Sequence, residues 1–152
     1  QFGVSLSYYK ELEQKNPENV TLLYQIGICL AELKEFDEAL KYFFKIDFVQ
    51  PQNEKVWRAI AWYSFVCGKY EQAKTYYDRI ISASVAGMVD YLNAGHLEWV
   101  QHNVQQAFRN YQSALQRCKD KDEFVALFRQ DIDILIEKGI DKDLIPLMID
   151  MI

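Results

Sequence analysis

Six glycines, scattered singly over 152 residues, leave no Gly-rich loop to cradle a phosphate, and no strand pattern precedes any of them. Histidine is scarcer still. His96 and His102 are the only two, and their spacing of six residues misses the i, i+4 pairing of a helical metal site. No cysteine or carboxylate completes a ligand set beside them, so neither a metal nor a cofactor is expected. Ser, His and Asp occur without the local pattern of a nucleophile elbow. Asp131 and Asp133 would point about 200° apart on one helix, the mark of a solvated face rather than of a paired acid and base. The chain is not expected to be an enzyme.

A cluster of basic charge is missing too. The net charge is −5, and the 17 Lys and Arg residues are dispersed, which argues against nucleic acid as a partner. No apolar run approaches the roughly 18 residues of a membrane span, and no signal-peptide pattern opens the chain. Cys29, Cys67 and Cys118 are odd in number, far apart and set in apolar helical patterns. They read as buried free thiols of a reducing compartment such as the cytoplasm.

What the chain has is apolar residues, half of its length, with ten Tyr and nine Phe among them. That is enough for a continuous core without covalent staples. These residues recur at a period of 34: Leu23, Trp57 and Tyr91; Ile26, Ile60 and Ala94; Gly27, Ala61 and Gly95. Ala39, Ala73 and Ala107 keep the same interval, as do Phe43, Tyr77 and Tyr111, then Ile46, Ile80 and Ala114. The period divides the chain into units at 20–53, 54–87 and 88–121.

Within each unit two apolar-periodic segments flank a polar break, at Lys34-Glu35, Gly68-Lys69 and His102-Asn103. The pattern predicts three antiparallel helical hairpins. Gly27 with Ala39, Ala61 with Ala73 and Gly95 with Ala107 put small side chains on facing helices, so that the axes can approach. Asn19 and Asn53 are placed as helix N-caps, and Pro17 and Pro51 stop the helices before them.

The run Leu23, Ile26, Gly27, Leu30, Ala39, Phe43, Ile46, Pro51 resembles the tetratricopeptide repeat, and Trp57, Ile60, Ala61, Ala73, Tyr77 and Ile80 repeat it. The resemblance implies an all-α superhelix, a solenoid of hairpins. Departures stand at Val85 and Lys119, which replace Pro51, and at Glu98, which replaces Leu30. Phe2, Ser5, Tyr9, Leu12 and Pro17 match second-helix positions, so residues 1–19 read as a half-repeat of a longer protein whose exposed face favours weak self-association. Arg129 and Asp141 break the small-residue pattern in residues 122–152, which read as C-terminal capping helices. One helix over 122–138 is expected to stop at Gly139, and a short one to follow, started by Asp141 or Asp143 with Pro146 in its first turn.

The same resemblance implies a non-catalytic module that binds a protein or peptide along the concave wall lined by first helices. The matching positions are Tyr24, Ile28 and Ala31; Arg58, Trp62 and Phe65; Leu92, His96 and Trp99; and Ala126, Gln130 and Asp133. An aromatic groove with one cation suits apolar anchors of a partner. The same aromatics equally suit a core between neighbouring repeats, with Trp99 covered by the capping segment. Tyr24, Ile28, Ala59, Val89 and Asn93 stand where relatives that clamp a C-terminal carboxylate carry Lys, Arg and Asn, so that specificity is absent. A secretion-type chaperone of three repeats and a segment of an assembly scaffold are the other readings.

Overall fold

Residues 1–152 are all described in the structure, a computed structural model. The chain is all-α. Its helices are α1 (Phe2–Lys15), α2 (Val20–Glu32), α3 (Phe36–Val49), α4 (Glu54–Val66), α5 (Tyr70–Ser82), α6 (Met88–Val100), α7 (Val104–Gln116), α8 (Lys121–Arg129), α9 (Ile132–Glu137) and α10 (Leu144–Met151). Two compact units divide it, residues 1–76 and 77–152, with the boundary inside α5.

In the first unit α2 starts where Asn19 accepts the backbone N–H of Leu22 at 3.0 Å, and α4 where Asn53 accepts that of Val56 at 3.3 Å. Both first helices stop the same way. Lys34 (φ 64°) and Gly68 (φ 85°) turn left-handed, and the next N–H reaches back five residues, Glu35 to Leu30 and Lys69 to Ser64. The reversed chain lays Ala39 and Phe43 against α2, with Leu23, Ile26, Leu30, Ile46 and Ile60 completing a closed core. Gly27 has to be small: a methyl group there would stand 2.6 Å from Cε1 of Phe43.

The second helices of this unit carry a repeated hydrogen bond that the apolar pattern did not disclose. The Tyr42 hydroxyl donates to Glu13 at 2.9 Å, and the Tyr76 hydroxyl donates to Asp47 at 2.7 Å. Donors and acceptors are each 34 residues apart, so the bond is part of the repeat. α1 takes part in it while burying none of its own residues.

In the second unit α6 begins at Gly87, which has no side chain to cap with. Asp90 compensates by accepting the Gly87 N–H at 2.9 Å, which accounts for a carboxylate left nearly inaccessible. His102 (φ 68°) makes the left-handed turn, Asn103 N–H bonds back to Glu98, and the Asn103 side chain donates to the Glu98 carboxylate at 2.8 Å. Glu98, the residue that departs from the apolar pattern, is thus a buried acid with a partner on the loop. α7 then returns with Ala107, Tyr111 and Ala114 buried.

The capping region differs from the single helix expected over 122–138. α8 ends at Arg129 and α9 starts at Ile132, with Asp131 between them as a helix-start residue. The break turns the Asp131 carboxylate inward to His96, so Asp131 is no part of a solvated face. Asp133 does remain exposed. α9 closes at Gly139 (φ 103°), Asp141 accepts the Asp143 N–H at 2.9 Å, and Pro146 lies in the first turn of α10. Of the cysteines only Cys29 is buried; Cys67 and Cys118 are partly open, all three as free thiols. No helix is long and apolar enough to cross a membrane.

Candidate functional site

In the first unit α2 and α4 present neighbouring side chains. Tyr24, Ile28, Arg58 and Trp62 are all partly open. Tyr24 leans on Phe43 with ring centroids 5.7 Å apart, which fixes the phenol while its outer face stays accessible. Lys55, one turn before Arg58, sets its Nζ 4.2 Å from the centroid of Tyr24, an arrangement that attracts the ammonium to the ring. Lys55 was not among the residues expected here; its i−3 spacing from Arg58 on α4 is the signal that could have found it. Arg58 is held 3.8 Å from Glu54 on its own helix.

Trp62 packs on Phe65, centroids 5.6 Å apart, and Phe65 is buried beneath it. Phe65 therefore supports the surface instead of lining it. Tyr63 stacks flat on Phe43 at 5.8 Å, and its pKa is pushed up to about 12 by burial first, with Glu32 and Tyr24 adding to it. A neutral phenol in that place braces the wall at all ordinary pH. The result is an aromatic surface with two cations and a rigid back.

The second unit deals differently with its share of the expected residues. Leu92, His96 and Trp99 are all buried, at 2, 0 and 5 % exposure, and cannot line an open groove. Trp99 is covered by Phe128 of α8, centroids 6.4 Å apart, and meets Tyr111 edge-on. His96 sits between these rings with both nitrogens engaged: Nδ1 lies 2.7 Å from the Tyr111 hydroxyl, and Nε2 lies 3.0 Å from Asp131 Oδ2. Because the carboxylate can only accept, Nε2 carries the proton and Nδ1 accepts from Tyr111. The Tyr111 pKa is well raised by burial, with Asp131 adding to it, so the phenol keeps the proton it donates. Ala31 is buried as well, whereas Ala126, Gln130 and Asp133 are exposed. Of the aromatic wall expected over all the repeats, the open part lies in residues 24–62.

A family model described as a tetratricopeptide repeat matches residues 1–63. Over those residues the chain carries the tetratricopeptide repeat pattern. Its fold is also that of solved structures. A MamA RS-1 ArsTM double mutant superposes with a TM-score of 0.76 at 18% identity, over 98% of this chain and 82% of that one. MamA 41-end from Desulfovibrio magneticus RS-1 gives 0.71 at 20% identity, over 98% and 80%, and a further crystal structure of MamA gives 0.72 at 15%, over 91% of each. At such identities the likeness is one of fold. No curated protein matches the chain. Within the tetratricopeptide frame, Tyr24, Ile28, Lys55, Arg58 and Trp62 belong to first helices of successive repeats.

Proposed function

We propose that this tetratricopeptide repeat chain is a non-catalytic protein-interaction module which grips an extended or helical peptide segment on the α2 and α4 face. The observation that carries this reading is the partly open Trp62 seated on a buried Phe65, beside a Tyr24 braced by Phe43. Rigid aromatics half out of water give up little conformational freedom on binding, which is why they dominate interfaces. Lys55 and Arg58 give the face a positive rim on an acidic chain, favouring a segment that sets acidic residues beside its apolar anchors.

Affinity capture with the natural chain, compared between the starting protein and Trp62→Ala, tests it. Proteins retained by the first and lost by the second, with helix content equal, are the expected result; a capture profile insensitive to Trp62→Ala and Tyr24→Ala would remove this face from consideration. The scaffold reading draws on a separate observation, the open face of α1 in the first unit. It concerns what copies of the chain do with one another.

A further inference from the structure

On α1, Val4 is 77% and Tyr8 59% exposed, and Glu11 is exposed one turn beyond them. At about 100° per residue these three lie within roughly 60° of one another, along about 10 Å of helix. They form a stripe of two apolar anchors followed by a carboxylate. None of the three is a core position of the repeat.

A second surface of the same chain has the opposite character. In the second unit a cavity of about 620 Å³ opens between α7 and α10, lined by Val104, Gln105, Phe108, Arg109, Gln112 and Met151. Val104 and Met151 are exposed large apolar residues, at odds with a surface that has no occupant. Val104 and Phe108 stand one turn apart on α7, the spacing of Val4 and Tyr8 on α1. The single charged lining residue is Arg109, whose Nη1 donates to Gln106 at 3.1 Å and is thereby held at the rim. No acid lines the cavity.

We propose that α1 of one copy of the chain docks in the α7 to α10 cavity of another, with Val4 and Tyr8 on Val104, Phe108 and Met151, and Glu11 paired to Arg109. The occupant is a second copy because the chain itself supplies the matching spacing and the opposite charge. The contact joins two different surfaces, so each junction leaves a free α1 stripe at one end and a free cavity at the other, and copies can add head to tail. It extends the self-association expected through α1 by naming its receiving surface, and it does not rest on the α2 and α4 face.

Sedimentation equilibrium of the 152-residue chain tests it. Association should grow between about 10 μM and about 1 mM and weaken as salt is added. Glu11→Arg and Arg109→Glu should each weaken it by about tenfold, and together should restore it to within about threefold. Tyr8→Ser spoils the stripe and Met151→Glu spoils the cavity, so each alone should be monomeric. Mixed in equal amounts they should form a two-chain complex and nothing larger, because one intact junction is left. Trp62→Ala should leave association unchanged, and circular dichroism should show equal helix content throughout. A chain monomeric at every concentration, a charge reversal without rescue, a mixture that stays monomeric, or association lost in Trp62→Ala would each overturn the proposal.

Discussion

The ring of Tyr111 lies directly on Gly95: a methyl group at Gly95 would stand 2.5 Å from Cε1 and 2.6 Å from Cδ1. The same ring is tied at its far end, where the hydroxyl donates to His96 at 2.7 Å. It therefore has no freedom to swing aside. Gly27 and Phe43 repeat the relationship in the first unit, with Phe43 pinned by its stack on Tyr63.

Gly95→Ala and Gly27→Ala should accordingly destabilise the protein by about 1 to 2 kcal/mol, since an overpacking cost of about 1 to 3 outweighs the helix propensity gained by alanine. Gly3→Ala is the control, because a methyl group there meets nothing within 4 Å. It should raise stability by up to about 0.5 kcal/mol. Guanidinium unfolding of the three variants is the measurement, and a loss in Gly3→Ala equal to that in Gly95→Ala would mean that space is not the cause.

The need for small residues at Gly27 and Gly95 was legible from spacing, but they were paired there with Ala39 and Ala107, whereas the atoms that press on them belong to Phe43 and Tyr111. Residues 122–152 were less legible. A helix assumed continuous over 122–138 puts Asp131 on a solvated face; the break before Ile132 reverses that, and its cause is a partner 35 residues away in His96. The one available hint was that 35 is nearly one repeat, the distance at which first helices face each other. For Trp62 and Trp99 helical spacing is silent, since an aromatic on that face of a first helix serves an open wall or a covered core equally well. The difference comes from Phe128, which closes over Trp99 from α8.

Left-handed residues mark where first helices stop, and they separate a permissive side chain from strained ones. Lys34 and His102 adopt positive φ at the register where the second repeat has Gly68. Gly68→Ala should cost about 1 to 2 kcal/mol, and His102→Gly should gain up to about 1 kcal/mol, since only glycine escapes the left-handed penalty. His102 is exposed, so no lost contact obscures the comparison. A stabilising Gly68→Ala, read by thermal unfolding, would contradict the turn geometry.

Buried phenols give the protein a defined alkaline weakness. Tyr77 and Tyr111 are both nearly inaccessible, and burial raises both pKa values well above the ordinary 10, with Asp90 and Asp131 adding to Tyr77 and Asp131 to Tyr111. Their stabilising contribution is complete below about pH 10 and is lost above it, because the unfolded chain releases protons that the native state retains. Each such phenol should lower stability by about 1.4 kcal/mol per pH unit above that point. Tyr111→Phe should flatten the slope at high pH. At neutral pH it should cost about 1 to 3 kcal/mol by leaving His96 Nδ1 without a donor. A slope unchanged by Tyr111→Phe would show that other groups control alkaline unfolding.

Trp62 and Trp99 both lie on first helices, Trp99 at the register of Phe65 and Trp62 at that of His96, and their surroundings predict opposite phenotypes. Trp99 is 5% exposed and enclosed by Tyr111 and Phe128, so Trp99→Ala leaves a large cavity in the second unit. Its stability should fall by about 3 to 5 kcal/mol, with any loss of partner binding following from unfolding. Trp62 is partly open and rests on Phe65, so Trp62→Ala removes surface while leaving the buried ring beneath it in place. Its stability should change by about 1 kcal/mol or less, while the affinity for a partner obtained by capture should fall by about 2 kcal/mol or more. Measuring both quantities on both variants separates an anchor from a core residue, because truncating a core residue cannot cut affinity at unchanged stability. Large destabilisation by Trp62→Ala with affinity lost only in proportion would return Trp62 to the core, and the α2 and α4 face would then have no aromatic anchor except Tyr24.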